Sequence, residues 1–166
     1  MSYTPTALEA AIYQWLDRYI SVTLIYENQD APRPATPFAT MLVLGDDRVG
    51  RPADMLTTTP SGDDFEEVAS SLRAVTCRVT AYGQSAYSVV RTLMAYWVTP
   101  DSSVQAGLLG LSVYNVGQAT RIPQVLSQVT EDRWVVELQI YAVQELVTAV
   151  PALEIIEATV STTDPS

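Results

Sequence analysis

Histidine and lysine are absent from this 166-residue sequence, and cysteine occurs once, at Cys77. Without histidine there is no imidazole base and the commonest transition-metal ligand is missing. With a single cysteine as well, a structural zinc site lacks donors and a disulfide framework lacks a second half. A Ser-His-Asp triad is excluded, and the seven glycines form neither a P-loop nor a dinucleotide-binding fingerprint. No run of about 18 apolar residues and no basic-then-apolar leader is present, so neither a transmembrane helix nor a secretory signal is expected. The chain is expected to stay in the cytoplasm until it is assembled. No function is drawn from the missing lysine, since genomic base composition alone can remove it.

Positive charge is also scarce. Nine arginines stand against nineteen acidic residues, a formal charge of −10. That balance disfavours attraction to nucleic acid or to an anionic membrane. The length suits one domain, 1–166, large enough to bury a core without cross-links.

What is present is patterned. Residues 6–19 place Leu8, Ala11, Ile12, Trp15, Leu16 and Tyr19 at helical intervals; Thr6 with Glu9 has capping-box spacing, and Thr4 followed by Pro5 is an equally lawful helix start. SVTLIY (21–26) reads as a short strand. The following segment carries Pro32, Pro34 and Pro37, which remove backbone donors and force extended geometry, a built elbow. It delivers the chain into a strand over 38–44 that is apolar on both faces, Met41 and Val43 against Leu42 and Leu44, predicting cover on both sides. Residues 45–63 read as an extended hairpin arm, with a returning strand from about Asp64 in which Val75, Cys77, Val79 and Ala81 alternate with polar residues.

Gly83 ends that strand, and Ser85 is placed to cap a second helix bearing Ala86, Val89, Val90, Leu93, Met94 and Trp97, terminated by Pro100. Residues 101–109 fit a helical turn or a small third helix. LSVYNV (111–116) alternates as a strand, 117–128 is an irregular link, and 133–143 alternates most regularly, with Trp134, Val136, Leu138, Ile140 and Ala142 on one side. A last strand is expected over 153–160, before a frayed tail at 161–166. The fold class is α+β: a mainly antiparallel sheet with two principal helices packed on one face and a long β-hairpin arm.

Chemistry is harder to find. Cys77 on an inward strand position, with no base to activate it, reads as a small buried hydrophobe. Asp63, Asp64, Glu66 and Glu67 cluster without the spacing of a calcium loop and read as a solvated turn. No catalytic, metal or cofactor residues are predicted. Trp15, Trp97 and Trp134 are assigned to the core, whereas Tyr82, Tyr87, Tyr96 and Tyr141 at half-exposed positions suit either an interface or an ordinary amphipathic surface. The candidate oligomer contacts are Arg48 and Arg51 on the arm, Asp46, Asp47 and Asp54 as partners on a neighbour, and Arg33, held between two prolines. The competing readings are an Arg48–Asp46 pair within the hairpin and bonding of Arg33 to local carbonyls.

Four stretches carry a resemblance: YQWLDRYI (13–20), IYENQDAPRPATPFATMLVL (25–44), RVTAYG (78–83) and EDRWVVELQIYAVQE (131–145). In that order they resemble the gp12-like neck terminators of tailed bacteriophages, with 98–128 matching least well. The resemblance implies a tail-terminator-like fold and a structural virion protein rather than an enzyme. It implies a homo-oligomeric ring, six subunits expected, at the head-proximal end of the tail, made in the host cytoplasm. The ring would end tail-tube polymerisation and meet the tail-tube protein, the head-tail connector protein and a sheath, while DNA passes through without specific binding. A tail-tube subunit or a head-completion protein is the alternative within phage structure. A small-molecule binding module or hydrolase is the alternative outside it, and would need a polar-lined pocket.

Overall fold

The computed structural model describes residues 6–30, 32–50, 55–61, 64–126 and 129–150. Among these residues three helices, α1 (Ala7–Tyr19), α2 (Ala86–Trp97) and α3 (Pro100–Leu108), accompany nine strands. The strands are β1 (Thr23–Tyr26), β2 (Phe38–Val49), β3 (Met55–Ser61), β4 (Asp64–Tyr82), β5 (Leu111–Val116), β6 (Thr120–Arg121), β7 (Gln124–Leu126), β8 (Val129–Glu131) and β9 (Arg133–Val150). The main sheet runs β1-β2-β4-β9-β5, with β3 on β4 and β6 on β9; β7 and β8 form a separate ribbon. Every pairing is antiparallel except β1 with β2. The expected α+β class is the one observed.

Local chemistry explains the helix starts. Thr6 accepts from the Glu9 backbone N–H, and Glu9 accepts from the Thr6 N–H at 2.7 Å, so the capping box expected from the spacing forms. Ser85, by contrast, makes no side-chain capping bond; α2 begins where Gly83 turns the chain out of β4, and the Gly83 carbonyl accepts from the Ala86 N–H. The expected stop at Pro100 also falls differently. α2 ends at Trp97, Thr99 caps α3, and Pro100 occupies the first turn of α3, where its missing donor costs nothing.

On β4 the odd positions Val75, Cys77, Val79 and Ala81 and on β9 the even positions Val136, Leu138, Ile140 and Ala142 are buried against Ile12, Trp15 and Leu16 of α1 and Val89, Val90 and Leu93 of α2. This single core occupies one face of the sheet. Trp15 closes it, donating Nε1–H to the Ser102 carbonyl at 3.2 Å, and Tyr19 donates to Asp101 at 2.8 Å, which ties α1 to α3. Trp97 and Trp134 are only partly buried; the Trp97 indole donates to the Val113 carbonyl, and Trp134 packs on Tyr87.

The strand after the elbow is covered on both sides only over Phe38–Met41. Leu44, expected inside, is 42% exposed, because the β2–β4 register shifts between Val43 and Gly45 and leaves it at the irregularity. The strand expected over 21–26 starts at Thr23, and the link over 117–128 is less irregular than expected, since it contributes β6 and β7.

The two long strands decide the shape. β4 has 19 residues and β9 has 18, paired along their whole length from Tyr82↔Arg133 to Phe65↔Val150. β9 thus continues past Val143, where its apolar alternation fades. Among the residues whose burial is described, the last buried ones toward the far end are Val75 and Ala142, and beyond them the two strands run on without the helix layer. On the other side of β4, β2 ends at Val49 and β3 takes over from Met55, running in the same direction. The projecting arm is therefore three strands wide, β3-β4-β9, rather than the two of a simple hairpin. The strand expected over 153–160 and the tail 161–166 lie outside the described residues.

Candidate functional site

Because side chains alternate along a strand, β4 and β9 present a second face away from the helices. Near the sheet's body the elbow covers it. Phe38 and Tyr82, paired across β2 and β4, stack at 4.6 Å, and the Arg33 guanidinium lies 5.1 Å from both ring centres. Arg33 also pairs with Glu131. It is thus bound to a distant carboxylate rather than to local carbonyls, and fastens the elbow to the sheet.

Farther out this face is bare among the described residues. Leu72 pairs with Val143 and Val68 with Val147 across the β4–β9 ladder, so all four share the helix-free face. Leu72 is 36%, Val143 58% and Val147 55% exposed, large apolar side chains in cross-strand register with no covering element among the described residues. Among those residues, too, β3 pairs only with β4, and β9 beyond Ala142 pairs only with β4, so both edges of the arm present unpaired backbone groups. Neither feature stands out in the sequence: Leu72 follows two serines and Val143 and Val147 flank polar residues, so each looks incidental until the register aligns them.

The predicted contacts divide. Asp46 accepts from Arg73 Nε at 2.8 Å, and its backbone carbonyl accepts from the same guanidinium at 3.1 Å, which holds the Arg73 pKa above its ordinary value. Asp46 therefore pairs across β2 and β4, with Arg73 and not with Arg48. Arg48 lies opposite Arg73, and Asp47 opposite Ala74 on the helix-free face; both side chains are exposed and neither has a hydrogen-bond partner among the described residues. Arg51, Asp54 and Asp63 fall outside the described residues.

Among the described residues no constellation for catalysis accompanies the arm. Cys77 is fully buried and burial pushes its thiol up to about 12. Among the described residues no group of three or more His, Cys, Asp or Glu is placed to hold a metal ion. Tyr114 and Tyr141 stack at 4.1 Å on the same exposed side of the sheet, a rigid aromatic pair suited to contact.

The family model described as phage neck terminator protein matches residues 6–165. The chain belongs to that family. The match takes in both helix layer and arm, so this neck terminator chain is a structural protein of the bacteriophage virion, located at the neck and associated with other head-tail proteins. The family is typically non-enzymatic. No curated protein matches the chain. Among the described residues no helix is long and apolar enough to cross a membrane.

Proposed function

We propose that copies of this chain close into a ring, six subunits in the complete assembly, at the head-proximal end of the tail, where the ring ends tube polymerisation and docks the tail to the head connector. The observation that carries the reading is the three-stranded arm, whose apolar face is bare and whose two edges are unpaired among the described residues. A monomer rarely exposes such a surface without using it, and an edge strand recruits a further strand or an apolar face by the same forces that built the sheet. The stoichiometry of six comes from the family resemblance.

In this reading the whole chain, 1–166, acts as one unit, with its body forming the wall and its arm reaching a neighbour. Arg48 and Asp47 supply charged contacts there, with Arg51 and Asp54 beside them in the sequence, while Asp46 and Arg33 serve mainly to hold the arm root and the elbow. The net charge of −10 lets DNA pass without being gripped. The tail-tube protein and the head connector occupy the two faces of the ring, a sheath its outside.

The test is native mass across a concentration series with negative-stain images of the largest species, alone and with assembled tails added. Closed rings, or closure on tail tips, is the expected outcome. Open tubes formed by the chain itself would make it a tube subunit, and a monomer that ignores tails would overturn the neck-ring assignment.

A further inference from the structure

The helix-free face carries one more feature, at the end of the sheet opposite the arm tip. A groove of about 360 Å³ opens there, floored by Val135 and walled by Gln118, Thr120, Arg133 and the Arg78–Glu137 pair. Glu137 is already met, accepting from Arg78 at 3.2 and 2.9 Å. Arg33, Arg73 and Arg121 likewise each have a carboxylate of their own chain, Glu131, Asp46 and Asp132. Arg133 does not. Its guanidinium lies 5.5 Å from the centre of the Tyr82 ring, and its Nε is buried with no hydrogen-bond partner among the described residues. In a chain with ten more negative than positive charges, this groove has two arginines against one glutamate. A buried cationic donor without an acceptor is costly, and a carboxylate entering the groove relieves it.

We propose that the groove around Arg133 receives the acidic tip of the arm of a second copy. The β3–β4 turn is flanked by Asp64, Glu66 and Glu67. Within one chain the two cannot meet: Phe65 and Tyr82 lie at opposite ends of β4, roughly 55 Å apart along an extended strand. Tip and groove are different patches at opposite ends of one sheet, so their contact is head-to-tail, the type of interface that closes into rings. The arm beyond Val75 spans roughly 36 Å to Asp64, enough to reach across to a neighbouring body.

This inference rests on the ring reading, and its test separates the two. Asp64→Cys and Thr120→Cys chains are mixed, oxidised and run without reductant, and assembly is followed by native mass at low and high salt. Expected are covalent dimers of one chain of each kind, and an Arg133→Gln chain whose half-assembly concentration rises at least about tenfold at low salt. The variant Asp64→Asn/Glu66→Gln/Glu67→Gln leaves the body untouched and should show the same loss, which keeps the test decisive even where Arg133→Gln fails to fold. Closed rings with no cross-link, together with wild-type assembly by the tip variant, would overturn this contact and leave the ring standing. Absence of rings both alone and on tails would overturn the ring reading and this contact with it.

Discussion

Burial keeps the Cys77 thiol protonated far into the alkaline range, and the consequence is a stability that falls as pH rises. An exposed thiol in the unfolded chain ionises near about 8.5, whereas the folded one does so at about 12. Between those values the unfolded chain releases a proton that the folded chain retains. The contribution is therefore complete below about pH 8.5 and is lost upward at up to about 1.4 kcal/mol per pH unit. Tyr13, Tyr19 and Tyr26 are also raised by burial and steepen the loss above pH 10. Urea midpoints measured from pH 8 to 10.5 should decline, and decline less steeply in Cys77→Ala. At pH 8 native protein should resist thiol reagents, with Cys77 reacting only after unfolding. Thr80 makes the opposite case, because its fully buried hydroxyl has no partner among the described residues. Thr80→Val removes the unmet polar atom and should stabilise the fold by about 1 kcal/mol in a denaturant titration.

Helix starts differ in how much their sequence contributes. α1 is closed by a reciprocal capping box, so Thr6→Ala should cost about 0.5–2 kcal/mol. Ser85 makes no such bond, and Ser85→Ala should fall within about 0.5 kcal/mol. The turn that feeds α2 depends on Gly83 instead. Its φ is +100°, and an added Cβ would sit 3.2 Å from Thr36 Cβ, against the elbow. Gly83→Ala should therefore cost more than about 1 kcal/mol by thermal or chemical unfolding, through both the strained backbone and the displaced elbow. In the strands, Leu138 is fully buried between the helix layer and its neighbours, and Leu138→Ala should cost about 2–5 kcal/mol.

For the whole molecule, the body and the arm answer to different forces. The body is held by its own core, whereas the outer arm has an apolar face that no element among the described residues covers. Charges placed there should separate folding from assembly. Val143→Asp with Val147→Asp should leave the monomer's melting temperature within a few degrees of wild type, since both side chains are already more than half exposed. The same pair should abolish ring formation in native mass measurements. A matching fall in monomer stability would mean instead that the arm face packs within the chain.

The sequence by itself determined α1, α2, the inner halves of β4 and β9, and the burial of Cys77, because capping spacing and the 3.6- and 2-residue periods are local signals. It determined the family as well, through stretches distributed in order along the chain. It did not show where β4 and β9 end. In the arm neither face lies under the helices, so the alternation that marks a half-buried strand disappears, and only pairing with a neighbour makes those residues extended. Nor did it show the parallel β1–β2 pairing, Arg33 bound to Glu131 98 residues away, or Arg133 left without a carboxylate among the described residues. Those depend on which distant residues the sheet brings side by side. Tertiary structure alone decided them, because register is set by the summed burial and pairing of whole strands rather than by the residues at any one position.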